Sequence, residues 1–403
     1  ERGVTESSVK ELKLLAETLE IEVVDTIIQN SARFHNVHYV GKGMLEKIGM
    51  LVEELDIKVV ICDDELTPSQ QKNIQKELGD CRVMDRSSLI LDIFNDHAKT
   101  KEAKTQVELA RMEYMLPRLS HKWTHLERQK GGIDMRGGPG ETQIEVDRRL
   151  IRDQIKQLKM QLKKIALQGD TTSKHRSKYF NVAIVGYTNA GKSTLMNITT
   201  SAEVAVENKL FKTLDTTIRK LEIDKSHKIF LSDTVGFIRK LPHQLVASFR
   251  STLKEVKEAD LLLKVIDISD PNFLQHKKTI DDELKEFKIP EKNFINVYNK
   301  IDMIETSDIT MIKKQLDDGI YISAFRDIGV DKLLAEITKK MDSHSRQRII
   351  RIPHINGKAN SAIYQFGNIL EQKVEDEFTE YKVAIRDSMF EKFVKTYNIS
   401  DVL

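Results

Sequence analysis

A chain of 403 residues, 40% hydrophobic and 31% charged, is too long for one ordinary core and implies a globular protein of two to four domains. No apolar stretch approaches the roughly 20 residues of a membrane span, since even Leu261-Leu262-Leu263 is interrupted by charge within a few positions, and Glu1-Arg2-Gly3 opens no signal peptide, so stable membrane insertion is not expected. The net charge of +2 conceals an asymmetry: residues 1–98 hold 11 basic and 19 acidic side chains, whereas residues 99–178 hold 19 and 10, a basic block suited to a polyanion.

Residues 1–98 alternate helical and strand patterns. Leu12, Leu15, Ala16 and Leu19 recur at helical spacing before the β-branched run Ile21-Glu22-Val23-Val24. Gly41-Lys42-Gly43 opens a helix carrying Leu45, Ile48, Leu51, Val52 and Leu55. Lys58-Val59-Val60-Ile61-Cys62 reads as a buried parallel strand, residues 68–78 as a helix, and Cys81-Arg82-Val83-Met84 as a second strand. The expectation is a small α/β domain. Its two cysteines, Cys62 and Cys81, read as reduced thiols of a cytoplasmic protein.

Residues 99–172 change character. Ala103, Val107, Ala110 and Tyr114 form one coiled-coil seam, and Ile144, Ile151, Ile155, Leu158, Leu162 and Ile165 form another. Between them lies Gly131-Gly132-Ile133-Asp134-Met135-Arg136-Gly137-Gly138-Pro139-Gly140, which no helix tolerates. The pattern predicts an antiparallel helical hairpin with a glycine-rich tip. The polar run from Gly169 to Lys178 reads as a linker. Residues 179–343 return to strand–helix alternation, predicting a doubly wound, mostly parallel sheet. Residues 347–403 predict a small α+β domain, with extended Ala362-Ile363-Tyr364 and Tyr381-Lys382-Val383-Ala384-Ile385 around a helical 369–377 stretch.

The apolar strand Phe180-Asn181-Val182-Ala183-Ile184-Val185 runs into Gly186-Tyr187-Thr188-Asn189-Ala190-Gly191-Lys192-Ser193 and then a helix start. This is a phosphate-cradling loop in its required strand–loop–helix setting: backbone N–H groups turn inward and the helix N-terminus adds positive potential. Lys192 is expected at the β- and γ-phosphates and the Ser193 hydroxyl on Mg²⁺. Some 40 residues on, Asp233-Thr234-Val235-Gly236 ends another strand; Asp233 suits a magnesium-bound water and the Gly236 amide the γ-phosphate. Asn299-Lys300-Ile301-Asp302 selects the base. The Asp302 carboxylate accepts from guanine N1–H and the exocyclic amine, whereas adenine would leave it unpaired. Lys300 would pack along the base and Asn299 would tie this loop to the phosphate loop. Ser323-Ala324-Phe325 offers a backbone amide for the guanine carbonyl. A second magnesium ligand must come from the loop between, where Thr213, Thr216 and Thr217 are all candidates. GTP and GDP are therefore the expected ligands and Mg²⁺ the expected cofactor.

Four stretches resemble the HflX-type GTPases of the Obg-HflX branch of translation-associated G proteins. They are residues 186–195; Leu210-Phe211-Lys212-Thr213-Leu214-Asp215; residues 233–242; and the tip from Gly131 through Arg136, Gly137 and Gly138 to Asp147-Arg148-Arg149. The resemblance implies that Thr213 is the magnesium threonine and that Phe211 to Asp215 close over the nucleotide. It also implies a cytoplasmic enzyme, a monomer when free, that hydrolyses GTP on the large ribosomal subunit. Ribosomal RNA near the peptidyl-transferase region would be met by Arg128, Lys130, Arg136, Gly137, Gly138, Arg148 and Arg149, in the rescue or splitting of stalled or idle ribosomes. Lys192, Thr213 and Gly236 carry the catalytic expectation. Two features depart from the family pattern: Thr216 stands where proline is usual, and the tip is one glycine longer. Phe237 occupies the position after Gly236 where Ras-like enzymes hold a water-orienting glutamine, so slow hydrolysis in isolation is expected. The competing readings are an RNA-binding module using GTP as a switch, and a general NTPase or RNA-remodelling enzyme.

Overall fold

The computed structural model describes residues 2–29, 35–119, 143–176, 179–200, 211, 217–224, 227–240, 242, 255–286, 289, 293–343 and 345–399. It divides into two bodies. One comprises residues 1–168, 207–215 and 235–253, and the other residues 169–206, 216–234 and 254–403.

The first body is built from α1 (Arg2–Thr18), α2 (Lys42–Glu54), β1 (Val59–Cys62), α3 (Pro68–Glu77), β2 (Arg82–Asp85), α4 (Arg86–His97), α5 (Lys101–Met115) and the long α6 (Gln143–Arg176) as far as Gln168. The expected strands pair in parallel, Val60 opposite Val83, although β1 is only half-buried. Helix α3 starts where Thr67 and Gln70 form a reciprocal capping box with Pro68 in the first turn. Buried Asp85 caps α4 through the Ser88 amide (2.8 Å) and also accepts from the Leu66 amide (3.0 Å) and the Tyr114 hydroxyl (2.8 Å). One carboxylate thus joins β2, α4 and α5. Both thiols are free, and burial pushes the Cys62 thiol up to about 12, against nucleophilic use.

Two expectations are corrected here. Residues 21–29 form no strand, and Val24, Ile27 and Ile28 are exposed, since no strand among the described residues pairs with them. The 169–178 run is not a linker as far as Arg176: α6 continues through it, because it holds no proline and a single Gly169 costs a helix only about 1 kcal/mol. Of the seam residues of α5 and α6, Ala103, Val107, Ala110, Tyr114, Ile151 and Leu158 are buried, Ile144, Ile155, Leu162 and Ile165 are half-buried, and Lys159 Nζ lies 2.7 Å from Glu113. The glycine-rich tip lies outside the described residues.

The second body holds a six-stranded sheet of order β4-β5-β3-β6-β7-β8. Its strands are β3 (Phe180–Gly186), β4 (Thr217–Glu222), β5 (Lys228–Asp233), β6 (Leu261–Asp267), β7 (Phe294–Asn299) and β8 (Ile320–Tyr321), all parallel except β4. Helices α7 (Lys192–Thr199), α8 (Phe273–Glu286), α9 (Thr306–Lys313) and α10 (Val330–Ser343) connect them. The core of Val182, Ile184, Leu195, Leu231, Leu263, Val265, Val297 and Leu333 explains the continuous apolar strands. A three-stranded antiparallel sheet follows, with β11 (Phe378–Ile385) between β10 (Asn368–Val374) and β9 (Arg346–Pro353), and with α11 (Gly357–Phe366) and α12 (Asp387–Tyr397). Here the expected assignments exchange. Ala362-Ile363-Tyr364 is helical, capped by Asn356, while residues 368–374 are a strand. The helix propensity of Leu370, Glu371 and Gln372 yields to pairing with β11.

Arg86 is 1% exposed and binds Glu11 and, at 2.7 Å, Asp63. Replacing it leaves buried carboxylates without their guanidinium, so Arg86→Ala should cost about 3–5 kcal/mol. Urea unfolding followed by circular dichroism checks this against the wild type.

Candidate functional site

The carboxyl ends of β3, β5, β6 and β7 carry the motif residues. That edge of an open parallel sheet, where the chain order reverses about β3, is where such folds bind ligands. Gly186 ends β3 so close to β6 that a Cβ would stand 2.4 Å from the Val265 carbonyl. Asn189 adopts φ 60° and Gly191 φ 91°, turning the loop into α7. A Cβ on Gly191 would also lie 2.2 Å from Asn299 Nδ2, so the second glycine is required twice over.

Lys192 is buried, and its ammonium donates to the Tyr187 carbonyl at 2.8 Å. Burial pulls its pKa down to about 8, and the nearby Asp233 carboxylate offsets only part of that. Ser193 Oγ donates to Asp233 Oδ2 at 2.6 Å, bringing the hydroxyl and carboxylate expected around a cation together from opposite sides of 40 residues. Thr234 donates to the Ile184 carbonyl (2.7 Å), tying the end of β5 to β3.

At the other end, Asn299 Nδ2 donates to the Ala190 carbonyl (2.8 Å) while its Oδ1 accepts from the Ala324 amide (2.9 Å). A single side chain therefore joins three loops distant in sequence. Lys300 takes a left-handed conformation (φ 65°) and pairs with Asp267 at 2.6 Å. Ile301 donates to the Ile322 carbonyl, and Asp302 stands exposed on a 3₁₀ turn, Ile301–Met303. Ser323 and Ala324 are buried, whereas Phe325 is 74% exposed. Two residues escaped the sequence reading. Asp267, at the carboxyl end of β6, also receives the Ser269 amide and hydroxyl; its position after the apolar run of β6 was the available signal. His276 on α8 stacks flat on the Tyr187 ring, 4.0 Å between centroids, and no sequence motif announces it.

The remaining expected residues divide. Lys212, Thr213, Leu214, Asp215 and the tip residues Arg128, Lys130, Arg136, Gly137 and Gly138 lie outside the described residues; Arg148 and Arg149 are exposed on α6. Phe211, Val235 and Gly236 belong to the first body. There Phe211 is buried at φ 56°, packs edge-on against Phe94 (4.6 Å), and faces its carbonyl to His97 Nδ1 at 2.9 Å. Phe237 and Ile238 are buried. Arg239 donates to Ser7 (2.6 Å) and lies 3.6 Å from Glu11, and Lys240 bridges Asp63 (2.8 Å) and Asp64 (2.6 Å). Burial raises the Asp63 carboxyl, but the Lys240 and Ser8 hydrogen bonds and the Arg86 charge outweigh it and hold it below the usual carboxylate range.

Comparison with known families gives three consecutive matches. "GTP-binding GTPase N-terminal" covers residues 6–95, "GTP-binding GTPase Middle Region" residues 97–176, and "50S ribosome-binding GTPase" residues 181–300. Among curated relatives, the GTPase HflX of Magnetococcus marinus is 41% identical over 95% of this chain and 89% of its own length. That of Flavobacterium psychrophilum is 55% identical over 72% of this chain and 70% of its own. The Escherichia coli GTPase HflX is 39% identical over 91% and 87%.

Asn299→Ala should strand the Ala190 carbonyl and the Ala324 amide together, at about 1–3 kcal/mol each. The variant is expected to melt earlier and to bind GDP more weakly, read by thermal unfolding with and without GDP.

Proposed function

This chain belongs to the HflX family of GTPases, and from that membership we propose that it couples GTP binding and hydrolysis to the splitting or rescue of ribosomes on the large subunit. It is a GTP-hydrolysing enzyme with a P-loop nucleotide domain. The ribosomal part of the reading is supported by the basic block of residues 99–178 and by the match of residues 181–300 to a 50S ribosome-binding GTPase family.

The observation that carries the nucleotide roles is the Asn299 brace, which holds the phosphate loop and the two base-recognition loops as one unit. In this reading the amides of residues 186–193 cradle the phosphates, and Lys192 exchanges the Tyr187 carbonyl for phosphate oxygens. Asp302 accepts from the guanine edge, Lys300 lies along the base with its ammonium on Asp267, and Ala324 presents its amide. The Ser193 hydroxyl and the Asp233 carboxylate are hard oxygen donors 2.6 Å apart, a set that fits Mg²⁺, with Thr213 as the further ligand. Magnesium, when bound, neutralises charge on the β- and γ-phosphates. Gly236 supplies an amide to the γ-phosphate. Among the described residues, no group of three or more His, Cys, Asp or Glu is placed so that it could hold a metal ion. No helix among those residues is long and apolar enough to cross a membrane.

Phe237 favours a second reading, in which the nucleotide is mainly a switch. Its buried ring can neither donate nor accept, so the attacking water must be oriented by other groups. Splitting of ribosomes with a non-hydrolysable GTP analogue as efficient as with GTP selects the switch. Acceleration of GTP turnover at least tenfold by purified large subunits is the result expected of the enzyme, and turnover indifferent to them removes the ribosomal reading. Lys192→Ala should abolish turnover in both.

Nucleotide affinity should also depend on pH with a defined sign. Free Lys192 loses its proton near pH 8, while phosphate oxygens hold it charged in the complex, so the complex binds more protons. GDP affinity should fall as pH rises above 8, by up to about tenfold per unit. Calorimetry at pH 9 in buffers of different ionisation heat should register uptake approaching one proton; no uptake would show that Lys192 is already charged in the free protein.

A further inference from the structure

A phosphate loop turns its amides towards the ligand, so carbonyls and side chains must hold it in place. Asn299 secures one end at the Ala190 carbonyl. At the other end stands Tyr187, whose carbonyl accepts from the Lys192 ammonium at 2.8 Å and from the Ala190 amide at 3.3 Å. Tyr187 is buried, and its ring lies flat on the imidazole of His276, with centroids 4.0 Å apart and planes 8° from parallel.

His276 stands where α8 otherwise buries apolar side chains. Phe273, Ile280 and Leu284 share its face at helical spacing, and all four residues are buried. A histidine in such a stripe takes polar atoms out of water that a leucine would not. What it adds there is a flat ring matched to that of Tyr187. The chain leading to it is fastened as well. Asp267, the partner of Lys300, receives the Ser269 amide at 3.0 Å, and Asp270 receives the Asn272 amide at 2.7 Å just before the helix.

We propose that His276 is a positioning residue for phosphate binding: its ring holds Tyr187, and with it the start of the phosphate loop, when Lys192 leaves the Tyr187 carbonyl for the phosphates. The inference deepens the nucleotide reading above and rests on it. In the free protein the ammonium and the stack hold Tyr187 together. Once Lys192 turns to the ligand, the carbonyl is left with the longer Ala190 contact, and the stacked rings carry the hold that the ammonium gives up. An interaction that matters more with ligand than without registers as affinity.

The test separates the ring of His276 from its hydrogen-bonding atoms in the full chain. His276→Phe keeps a flat ring and removes the polar atoms; His276→Gln keeps polar atoms and removes the ring. GDP and IDP are titrated by calorimetry. His276→Phe should bind GDP as the wild type does, and His276→Gln about 3- to 10-fold more weakly, the worth of an aromatic pair read as an affinity ratio. The ratio of GDP to IDP affinity reports the Asn299-to-Asp302 end and should stay at its wild-type value in both. Wild-type affinity in His276→Gln overturns the proposal, as does a loss in His276→Phe as large as that in His276→Gln. A fall in the GDP-to-IDP ratio also overturns it, because the damage then reaches the base end. Should a variant fail to fold, nuclear magnetic resonance of the wild type decides. The His276 ring protons, shielded by the Tyr187 ring, should stay shielded at saturating GDP, and loss of that shielding overturns the proposal. Wild-type protein that does not bind GDP removes the nucleotide reading and the stack with it, whereas GDP binding indifferent to both substitutions removes the stack alone.

Discussion

The nucleotide end of this protein depends on a single amide side chain. Asn299 donates to the phosphate loop through Ala190 and accepts from Ala324, so loops separated by more than 100 residues share one buried hydrogen-bond centre. Its demands reach further. Gly191 must lack a side chain because the Asn299 amide lies where a Cβ would stand, and the next residue, Lys300, is left-handed with its ammonium on Asp267. A buried amide with both ends satisfied rigidifies what it joins, because any movement strands a donor or an acceptor in a dry interior. Preorganisation of this kind suits an enzyme whose chemistry is mostly positioning and electrostatics.

A second balance governs the first body. Glu11, Asp63 and Asp64 cluster there, and Arg86 alone does not neutralise them. The remaining cations, Arg239 and Lys240, come from the segment that follows Asp233-Thr234-Val235-Gly236. Three carboxylates meet three cations, and without the loop two charges would be left in partly desolvated surroundings. Phe211 is held in the same body by packing instead, against Phe94 with its carbonyl at His97. Phe211, Arg239 and Lys240, from the chain on either side of β4 and β5, thus find their partners within the first body.

The long α6 divides its surface between these economies. One face supplies Ile151 and Leu158 to the core, and the adjoining exposed face carries Arg148, Arg149, Arg152, Lys156, Lys159 and Lys163. Glu145 stands three residues before Arg148 and four before Arg149, Asp153 four after Arg149 and three before Lys156, spacings at which opposite charges meet on a helix surface, and Lys159 pairs with Glu113.

Much of this was legible in the amino-acid order. Strand–loop–helix around residues 180–195, the parallel sheet of the nucleotide domain, the β1–β2 pair and the two helical seams all follow from local periodicity and turn chemistry, which act over a few residues. So does the likeness to HflX-type GTPases, carried by contiguous motifs. Other features needed the tertiary structure. Residues 369–374 have the composition of a helix and become a strand because β11 offers an edge to pair with. The polar run after Gly169 stays helical as the continuation of a helix already nucleated. Stacking of His276 on Tyr187, pairing of Asp267 with Lys300, and fastening of Arg239 and Lys240 to Ser7, Glu11, Asp63 and Asp64 join residues up to 232 positions apart. Sequence spacing alone therefore singled out the candidate residues for a guanine nucleotide; folding decided which neighbours hold them, because burial and charge balance are settled among groups that meet only once the chain has closed.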